Sequence, residues 1–186
     1  MAAGQGWMDR YRAGLPDLRG HIIFWSLLFL GLVLDLATKR AVFTWLADRP
    51  QQSMDVIPGF LTFRLALNAG AAFGIASGRV EFLVGVSIIA LIIILGVFFL
   101  GAAGQRAVQV ALGLFAAGVS GNLWDRMFND GHVRDFIDVV YWPGKHWHTF
   151  NVADAMLCIA VGLLIIATFF TDSSDRTRAQ PQRSER

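Results

Sequence analysis

The sequence predicts a mainly α-helical, polytopic membrane protein with four transmembrane helices and a small β platform from the first long extramembrane loop. Two features of the composition favour a membrane protein: 55% of the 186 residues are hydrophobic, and only 16% are charged, whereas a soluble domain carries about a quarter charged residues. The third observation is that the apolar residues gather into four runs. These runs are 22–37, 82–103, 107–123 and 150–170.

The four runs differ in how well they match the thickness of a membrane. Crossing the hydrocarbon layer takes about 20 residues, with a range of about 17 to 25. The second and fourth runs reach this length. The first and third runs are shorter, so we expect them to cross only if their polar ends lie at the membrane interface.

The connections between the runs predict which ends lie together. The second and third runs are separated by only Gly104, Gln105 and Arg106, which indicates a tight helical hairpin. The other two connections, 38–81 and 124–149, are long. Four spans would place both termini on one side of the membrane and both long connections on the other side.

One strand is predicted in the first long connection. In "LTFRLALN", residues 61–68, the apolar residues Leu61, Phe63, Leu65 and Leu67 occupy alternate positions. A period of two is typical of a half-buried strand. Strand backbone cannot face lipid without partners, so we place this sheet on the membrane surface beside the helix ends.

Charge and cysteine content limit the possible functions. The net charge is only +2, and no dense basic patch is present, which argues against a nucleic-acid partner. The single cysteine, Cys158, excludes an internal disulfide framework. The lysines and arginines divide eight against eight between the two predicted sides, so charge bias does not orient the chain.

Polar side chains cluster at the ends of the runs that face the long connections. Ionisable groups at membrane depth are rare and usually functional, and the predicted topology brings all of these to one face of the membrane. They are Asp35 and Lys39, the segment 68–74 ("NAGAAFG"), the segment 121–126 ("GNLWDR"), Asp135, and Asn151 with Asp154.

Several of these residues also have structural explanations. Asp35 and Lys39 are spaced i, i+4 and would form a helix ion pair, which is the role we favour for them. Asn151 and Asp154 resemble a capping pair, with Asn at the N-cap and an acid three residues later. Asp125, with the arginine that follows it, could equally be an interfacial anchor.

No metal site is expected from the histidines. His146 and His148 are spaced i, i+2, which is a weak ligand signature, and they flank Trp147 in a segment typical of a membrane interface. Carboxylates are therefore the reactive groups at this face. Two aspartates close together in a medium of low dielectric constant do not both ionise easily. The charged one can take a proton from water while the protonated one donates to a carbonyl oxygen, which suffices to hydrolyse an amide without a metal.

The motifs around these residues resemble those of lipoprotein signal peptidase, also called signal peptidase II. The resemblance runs through residues 22–170, and five motifs in the same order carry it. These are "DLATK" at 35–39, "NAGAAFG" at 68–74, "GNLWDR" at 121–126, "VRDFID" at 133–138 and "FNVADA" at 150–155.

The resemblance implies a role for each matching residue. The catalytic dyad falls on Asp135 and Asp154, and Asp138 ranks below Asp135. The residues that line the family's site match Asn68, Gly70, Asn122, Arg126 and Asn151, and the supporting residues match Asp35, Lys39 and Asp125. No metal or other cofactor is implied.

The resemblance also implies an activity and a location. The chain would be an aspartic endopeptidase of the bacterial inner membrane, acting at its periplasmic face on diacylglyceryl-modified prolipoproteins and cutting before the lipidated cysteine. Three parts follow: a cytoplasmic N-terminal segment (1–21), a four-helix membrane peptidase domain (22–170) and a polar cytoplasmic tail (171–186) that we expect to be disordered. We expect membrane lipid and prolipoprotein as partners, and a monomer.

Two alternatives come from other classes of protein. A small-solute or ion carrier would use the acids to bind protons or cations, but four spans without a repeat leave little room for alternating access. A magnesium-dependent lipid transferase would use Asp125, Asp135 and Asp138 as ligands. Sensitivity to a chelator separates this second alternative from an aspartic peptidase.

Overall fold

The computed structural model describes residues 15–70, 78–100 and 105–178. These ranges contain four helices and four strands, with one short 3-10 turn between α1 and β1. In chain order they are α1 (Leu18–Leu46), the turn (Pro50–Gln52), β1 (Ser53–Ile57), β2 (Leu61–Asn68), α2 (Val80–Phe99), α3 (Arg106–Phe128), β3 (Val133–Trp142), β4 (Lys145–His146) and α4 (Val152–Arg178).

Helix α1 is longer than the apolar run that predicts it. It continues to Leu46, past Asp35 and Lys39, which the apolar pattern predicts to lie at its end. Both charged side chains are fully buried between elements, so they do not mark the membrane interface on this helix. The last turns pack on the sheet, where Val42 and Leu46 contact Phe136.

Three of the helices described here, α1, α2 and α3, are long and apolar enough to cross a membrane. Large apolar side chains cover the outside of α1 and α2, and such a surface suits lipid rather than water. In α4 the apolar part, Val152–Thr168, is shorter. The protein is therefore mainly helical with three candidate membrane spans, and the fourth span stays a prediction.

The end of α4 differs from the predicted boundary. The helix continues to Arg178, so residues 171–178 are helical, which corrects the expectation that the disordered tail begins at residue 171. The remaining residues of that tail, 179–186, and residues 1–14 of the N-terminal segment lie outside the described ranges.

The platform is a four-stranded antiparallel sheet in the order β1-β2-β3-β4. The predicted strand at 61–68 is confirmed as β2. Its partner β3 comes from the second long connection, so the expectation that the first loop alone builds the platform was incomplete. The motif "VRDFID" thus lies in a strand and not in a loop, and Asp135 is paired in register with Ala66 of β2.

Helix α3 lies at the centre of the helix bundle. It is the most buried of the three candidate spans, with 56% of its apolar window inside the fold against 22% for α1 and 17% for α2. Small residues allow this, because a methyl group on Gly118 would lie 2.6 Å from the backbone oxygen of Ala153, and one on Gly113 would lie 3.0 Å from that of Phe24. Close helix contact through small residues is typical of membrane bundles.

Candidate active site

Asp135 and Asp154 line the same cleft, which has a volume of about 600 Å³. Asp135 enters it from β3, and Asp154 enters it from the first turn of α4. One wall is apolar and comes from α2, α3 and α4. The segment 147–150, which follows β4, also lines the cleft. The two predicted catalytic residues, nineteen positions apart in the chain, therefore meet at the junction of sheet and helix bundle.

Asp154 takes part in the capping box that the sequence predicts. Its carboxylate accepts a hydrogen bond from the backbone N–H of Asn151 at 3.2 Å, and the Asn151 side-chain oxygen accepts one from the backbone N–H of Asp154 at 3.0 Å. The second carboxylate oxygen of Asp154 accepts a hydrogen bond from the amide of Asn122 at 2.8 Å. Capping therefore orients Asp154 and leaves its other oxygen in the cleft.

Asp135 is held by two amide groups and is almost completely buried. Its oxygens accept hydrogen bonds from the side-chain amides of Asn151 at 2.6 Å and Asn68 at 3.1 Å. Burial, and then the charge of Asp154, raise the pKa of Asp135 to about 6. Asp135 therefore holds a proton more readily than an ordinary carboxyl group does.

The strand that carries Asp135 is tied directly to the start of α4. Ile137 of β3 pairs with Phe150 through hydrogen bonds in both directions, of 2.8 Å and 3.0 Å. The next residue, Asn151, contacts Asp135, Asp154 and Asn122 with its own side chain. A segment of five residues thus leads from the sheet to Asp154.

Lys39 fixes the orientation of Asn122. The ammonium group of Lys39 donates to the side-chain oxygen of Asn122 at 3.1 Å, so the amide nitrogen of Asn122 must point the other way, to Asp154. Lys39 also forms ion pairs with Asp35 at 2.7 Å and with Asp125 at 3.3 Å. All three ionic side chains are fully buried.

Asp35 and Asp125 each extend this cluster. Asp35 accepts a hydrogen bond from the backbone N–H of Ala153 at 2.9 Å, so α1 helps to cap α4. Asp125 is bound by the guanidinium of Arg134 at 2.6 Å. The i, i+4 pair of Asp35 and Lys39 is therefore a link between helices rather than the isolated helix pair that its spacing indicates, and Asp125 is not an interfacial anchor.

Asn68, Gly70 and Arg126 close the other side of the site. The backbone N–H of Gly70 donates to the side-chain oxygen of Asn68 at 2.9 Å, which turns the Asn68 amide toward Asp135. Arg126 donates to the carbonyl of Gly70 at 2.8 Å, and its Nε has no hydrogen-bond partner among the described residues. The rest of the "NAGAAFG" motif, residues 71–74, lies outside the described ranges.

One connected set of hydrogen bonds and ion pairs includes all ten predicted site residues. The sequence reasoning missed Arg134, whose role depends on a contact across the fold. It also missed the wall at 147–150 and the apolar wall from α2, because no spacing or charge pattern marks either. Among the residues that the structure describes, no three His, Cys, Asp or Glu side chains group as they would around a metal ion.

Asp138 belongs to a separate cluster on the sheet. Its buried carboxylate contacts His146 at 3.0 Å and Arg64 at 3.1 Å, and Arg64 also donates to the hydroxyl of Thr149 at 3.2 Å. This cluster therefore ties the wall segment 147–150 to strands β2 and β3.

Asp138→Asn is expected to disturb this wall rather than the chemistry. Loss of the carboxylate charge weakens both contacts, so we expect KM to rise by about three- to tenfold while kcat stays within about threefold, as for lost uniform binding. Asp55→Asn, which changes an exposed acid that contacts Thr62 on the same sheet, is the control. Steady-state kinetics would contradict this assignment if kcat fell about 10³-fold at unchanged KM.

The fold and the site together define a helical membrane protein in which two aspartates, Asp135 and Asp154, line one cleft. The family model for signal peptidase (SPase) II matches residues 27–170. The chain therefore belongs to the signal peptidase II family and is a bacterial membrane peptidase.

Individual relatives agree with this family. The lipoprotein signal peptidase of Sulfurihydrogenibium sp. (strain YO3AOP1) is 41% identical over 150 residues, which cover 77% of this chain and 89% of the relative. That of Geobacter metallireducens is 39% identical over 150 residues, covering 77% and 88%. A bacterial membrane enzyme solved by the in meso method at 2.3 Å superimposes with a TM-score of 0.71 at 33% identity, covering 86% of this chain and 92% of that one.

Proposed function

We propose that this chain is an aspartic endopeptidase that removes the signal peptide from diacylglyceryl-modified prolipoproteins, cutting before the lipidated cysteine. The observation that carries the proposal is the pair of carboxylates in one cleft, of which Asp135 has a raised pKa. We place four spans in the bacterial inner membrane, with both termini in the cytoplasm and the cleft at the periplasmic face.

The two aspartates divide the proton transfers between them. We assign the proton of the pair to Asp135, because its pKa is raised to about 6, and the role of general base to Asp154. Water attacks the scissile carbonyl carbon and gives its proton to Asp154, while Asp135 protonates the carbonyl oxygen. The tetrahedral intermediate then returns that proton to Asp135, the C–N bond breaks, and Asp154 protonates the leaving nitrogen.

The amide side chains keep this arrangement in place between steps. Asn122 and Asn151 donate to Asp154 and Asp135 respectively, and each is itself held by further contacts. Such fixed dipoles need no reorganisation during the reaction, which is how positioned hydrogen bonds lower a barrier. Arg126 also lines the cleft, where its guanidinium donates to the carbonyl of Gly70.

The apolar wall of the cleft supports a lipid-modified substrate. Val86 and Ala90 of α2, Val119 of α3 and Leu157 of α4 face the same space as the dyad. An acyl chain lying against this wall would fix the depth of the adjoining peptide bond. Binding energy far from the reacting bond would then supply orientation at that bond.

Removal of the diacylglyceryl group from the substrate is expected to lower kcat by about tenfold or more, as well as to raise KM. The experiment compares lipidated and unlipidated forms of one precursor, at saturating concentration in the same detergent or bilayer, with purified protein. Equal kcat/KM for the two substrates would refute the lipid specificity.

Cleavage of the lipidated precursor should proceed at the same rate when a chelator is added, because the proposed dyad needs no metal. Loss of activity with the chelator, reversed by added zinc or magnesium, would refute the metal-free dyad.

The raised pKa of Asp135 predicts a pH dependence of both activity and stability. Activity needs the proton on Asp135, so kcat/KM should fall about tenfold per pH unit once the pH exceeds the pKa, which is about 6 in the free protein. The folded state binds this proton more tightly than the unfolded state does. Its stabilising effect is therefore complete below the unfolded pKa and is lost as the pH rises through about 6.

Thermal unfolding between pH 5 and 7.5 measures the stability effect separately from activity. Across this pH range the wild-type protein should lose on the order of 1–1.5 kcal/mol of unfolding free energy through the titration of Asp135. In Asp135→Asn the unfolding free energy should no longer fall with rising pH over this range. If it fell as in the wild-type protein, another group would be the cause.

A further inference from the structure

A second cavity lies between α1 and α3 and shares no lining residue with the cleft of the dyad. Its volume is about 330 Å³. Leu36 and Arg40 line it from α1, and Trp124 and Phe128 line it from α3. Each pair is spaced i, i+4, so each forms a ridge on one face of its helix, and the cavity is the groove between the two ridges. Trp124 and Phe128 are both exposed.

The groove carries one positive charge without a partner. Asp125, Asn129 and Arg134 complete the lining of the groove. The carboxylate of Asp125 is fully buried and is paired with Arg134 and Lys39, and Lys39 also pairs with Asp35. Arg40 adds a further cation, and in the parts of the chain that the structure describes it has no hydrogen-bond or ion-pair partner. The exposed guanidinium is therefore available to an anion from outside.

The position of the groove indicates which anion this is. Trp124 and Phe128 lie in the last two turns of α3, at one end of a candidate membrane span, and Arg40 lines the same groove. We therefore place the groove at the depth of lipid headgroups. Tryptophan and arginine are both favoured there. A cation flanked by exposed apolar side chains matches a ligand with an anionic head and an apolar tail, and the guanidinium geometry of arginine suits a phosphate group.

We propose that this groove binds the phosphate headgroup of an anionic phospholipid at Arg40, with an acyl chain against Leu36, Trp124 and Phe128. The bound lipid holds α1 and α3 together at the level of the buried ion pairs. From there a continuous set of contacts runs from Arg134 through Asp125, Lys39 and Asn122 to Asp154. The lipid therefore braces the cluster that orients the dyad, and its binding does not depend on the peptidase assignment.

Lipid binding is tested without using activity. Purified protein is mixed with phosphatidylglycerol or phosphatidylcholine, and retained lipid is counted by native mass spectrometry. The wild-type protein should retain phosphatidylglycerol in preference to phosphatidylcholine. In Arg40→Gln the retained phosphatidylglycerol should fall about fivefold, because one cation is removed. Arg40→Lys should restore most of it. Arg79→Gln removes an exposed arginine outside the groove and should behave as wild type.

A second measurement distinguishes a lipid site from a site for any phosphate. A ligand that binds only the folded state raises the melting temperature. Phosphatidylglycerol should therefore raise the melting temperature of the wild-type protein and not that of Arg40→Gln. Inorganic phosphate added to protein in phosphatidylcholine should change it little. Equal retention and equal stabilisation in Arg40→Gln would overturn the site. Stabilisation by inorganic phosphate alone, without retained phosphatidylglycerol, would overturn the lipid as its ligand.

Discussion

Asp135→Asn and Asp154→Asn should each lower kcat by about 10³-fold or more, because each removes one member of the proposed proton-transfer pair. An asparagine keeps the shape of the side chain but cannot exchange a proton. Cleavage of a lipidated precursor by purified variants measures the loss. Exposed Asp55→Asn, on the same sheet, should leave kcat unchanged.

Folding of the two variants must be established alongside their activity. Asp154 also caps α4, but an asparagine oxygen can still accept the capping hydrogen bond, so we expect the Asp154→Asn protein to keep its elution volume and a cooperative melting transition. Turnover within tenfold of wild type in either folded variant would remove that residue from the dyad. Such a result would leave the family membership intact and would refute the proposed mechanism.

Lys39→Met should destabilise the protein more than any substitution in the cleft. It leaves the buried carboxylates of Asp35 and Asp125 without their shared ammonium group, and breaking a buried ion pair from one side costs about 3–5 kcal/mol. Asn122 also loses the contact that fixes its orientation. We expect a large fall in melting temperature and in the yield of folded protein.

A double variant separates the charge effect from general damage to the core. In Lys39→Met with Asp35→Asn, the remaining carboxylate, Asp125, still has Arg134, so much of the lost stability should return. Exposed Lys145→Met is the control for removal of a lysine. If the double variant melted no higher than the single one, unpaired charge would not be the cause of the loss.

The sequence predicted those parts of the fold that local pattern determines. Alternation identified the strand 61–68, and the apolar runs located the helices. Strand β3 was missed because Asp135 and Asp138 interrupt its apolar pattern, and their burial depends on partners elsewhere in the chain. The extension of α1 was missed for the same reason, since Asp35 and Lys39 resemble a helix end until their partners on α3 and α4 are known.

Within the site, the resemblance of the motifs and the spacing of the residues predicted different things. The motifs named all ten residues that the structure brings together, whereas spacing alone favoured a helix pair for Asp35 and Lys39 and only a cap for Asp154. The capping prediction was correct, and it is compatible with a place in the cleft because the two carboxylate oxygens have different partners. Arg134 and the wall 147–150 could not be predicted, because contacts across the fold define them.

The pairing of Ile137 with Phe150 has a consequence for how the protein could admit a bulky substrate. Asp135 lies two residues from Ile137, and Asp154 lies four residues from Phe150, so the spacing of the two acids is set over a short hydrogen-bonded path. Helix α2, which supplies an apolar wall of the cleft, is not part of that path. A displacement of α2 would therefore change the apolar wall of the cleft without breaking the hydrogen bonds that connect Asp135 to Asp154.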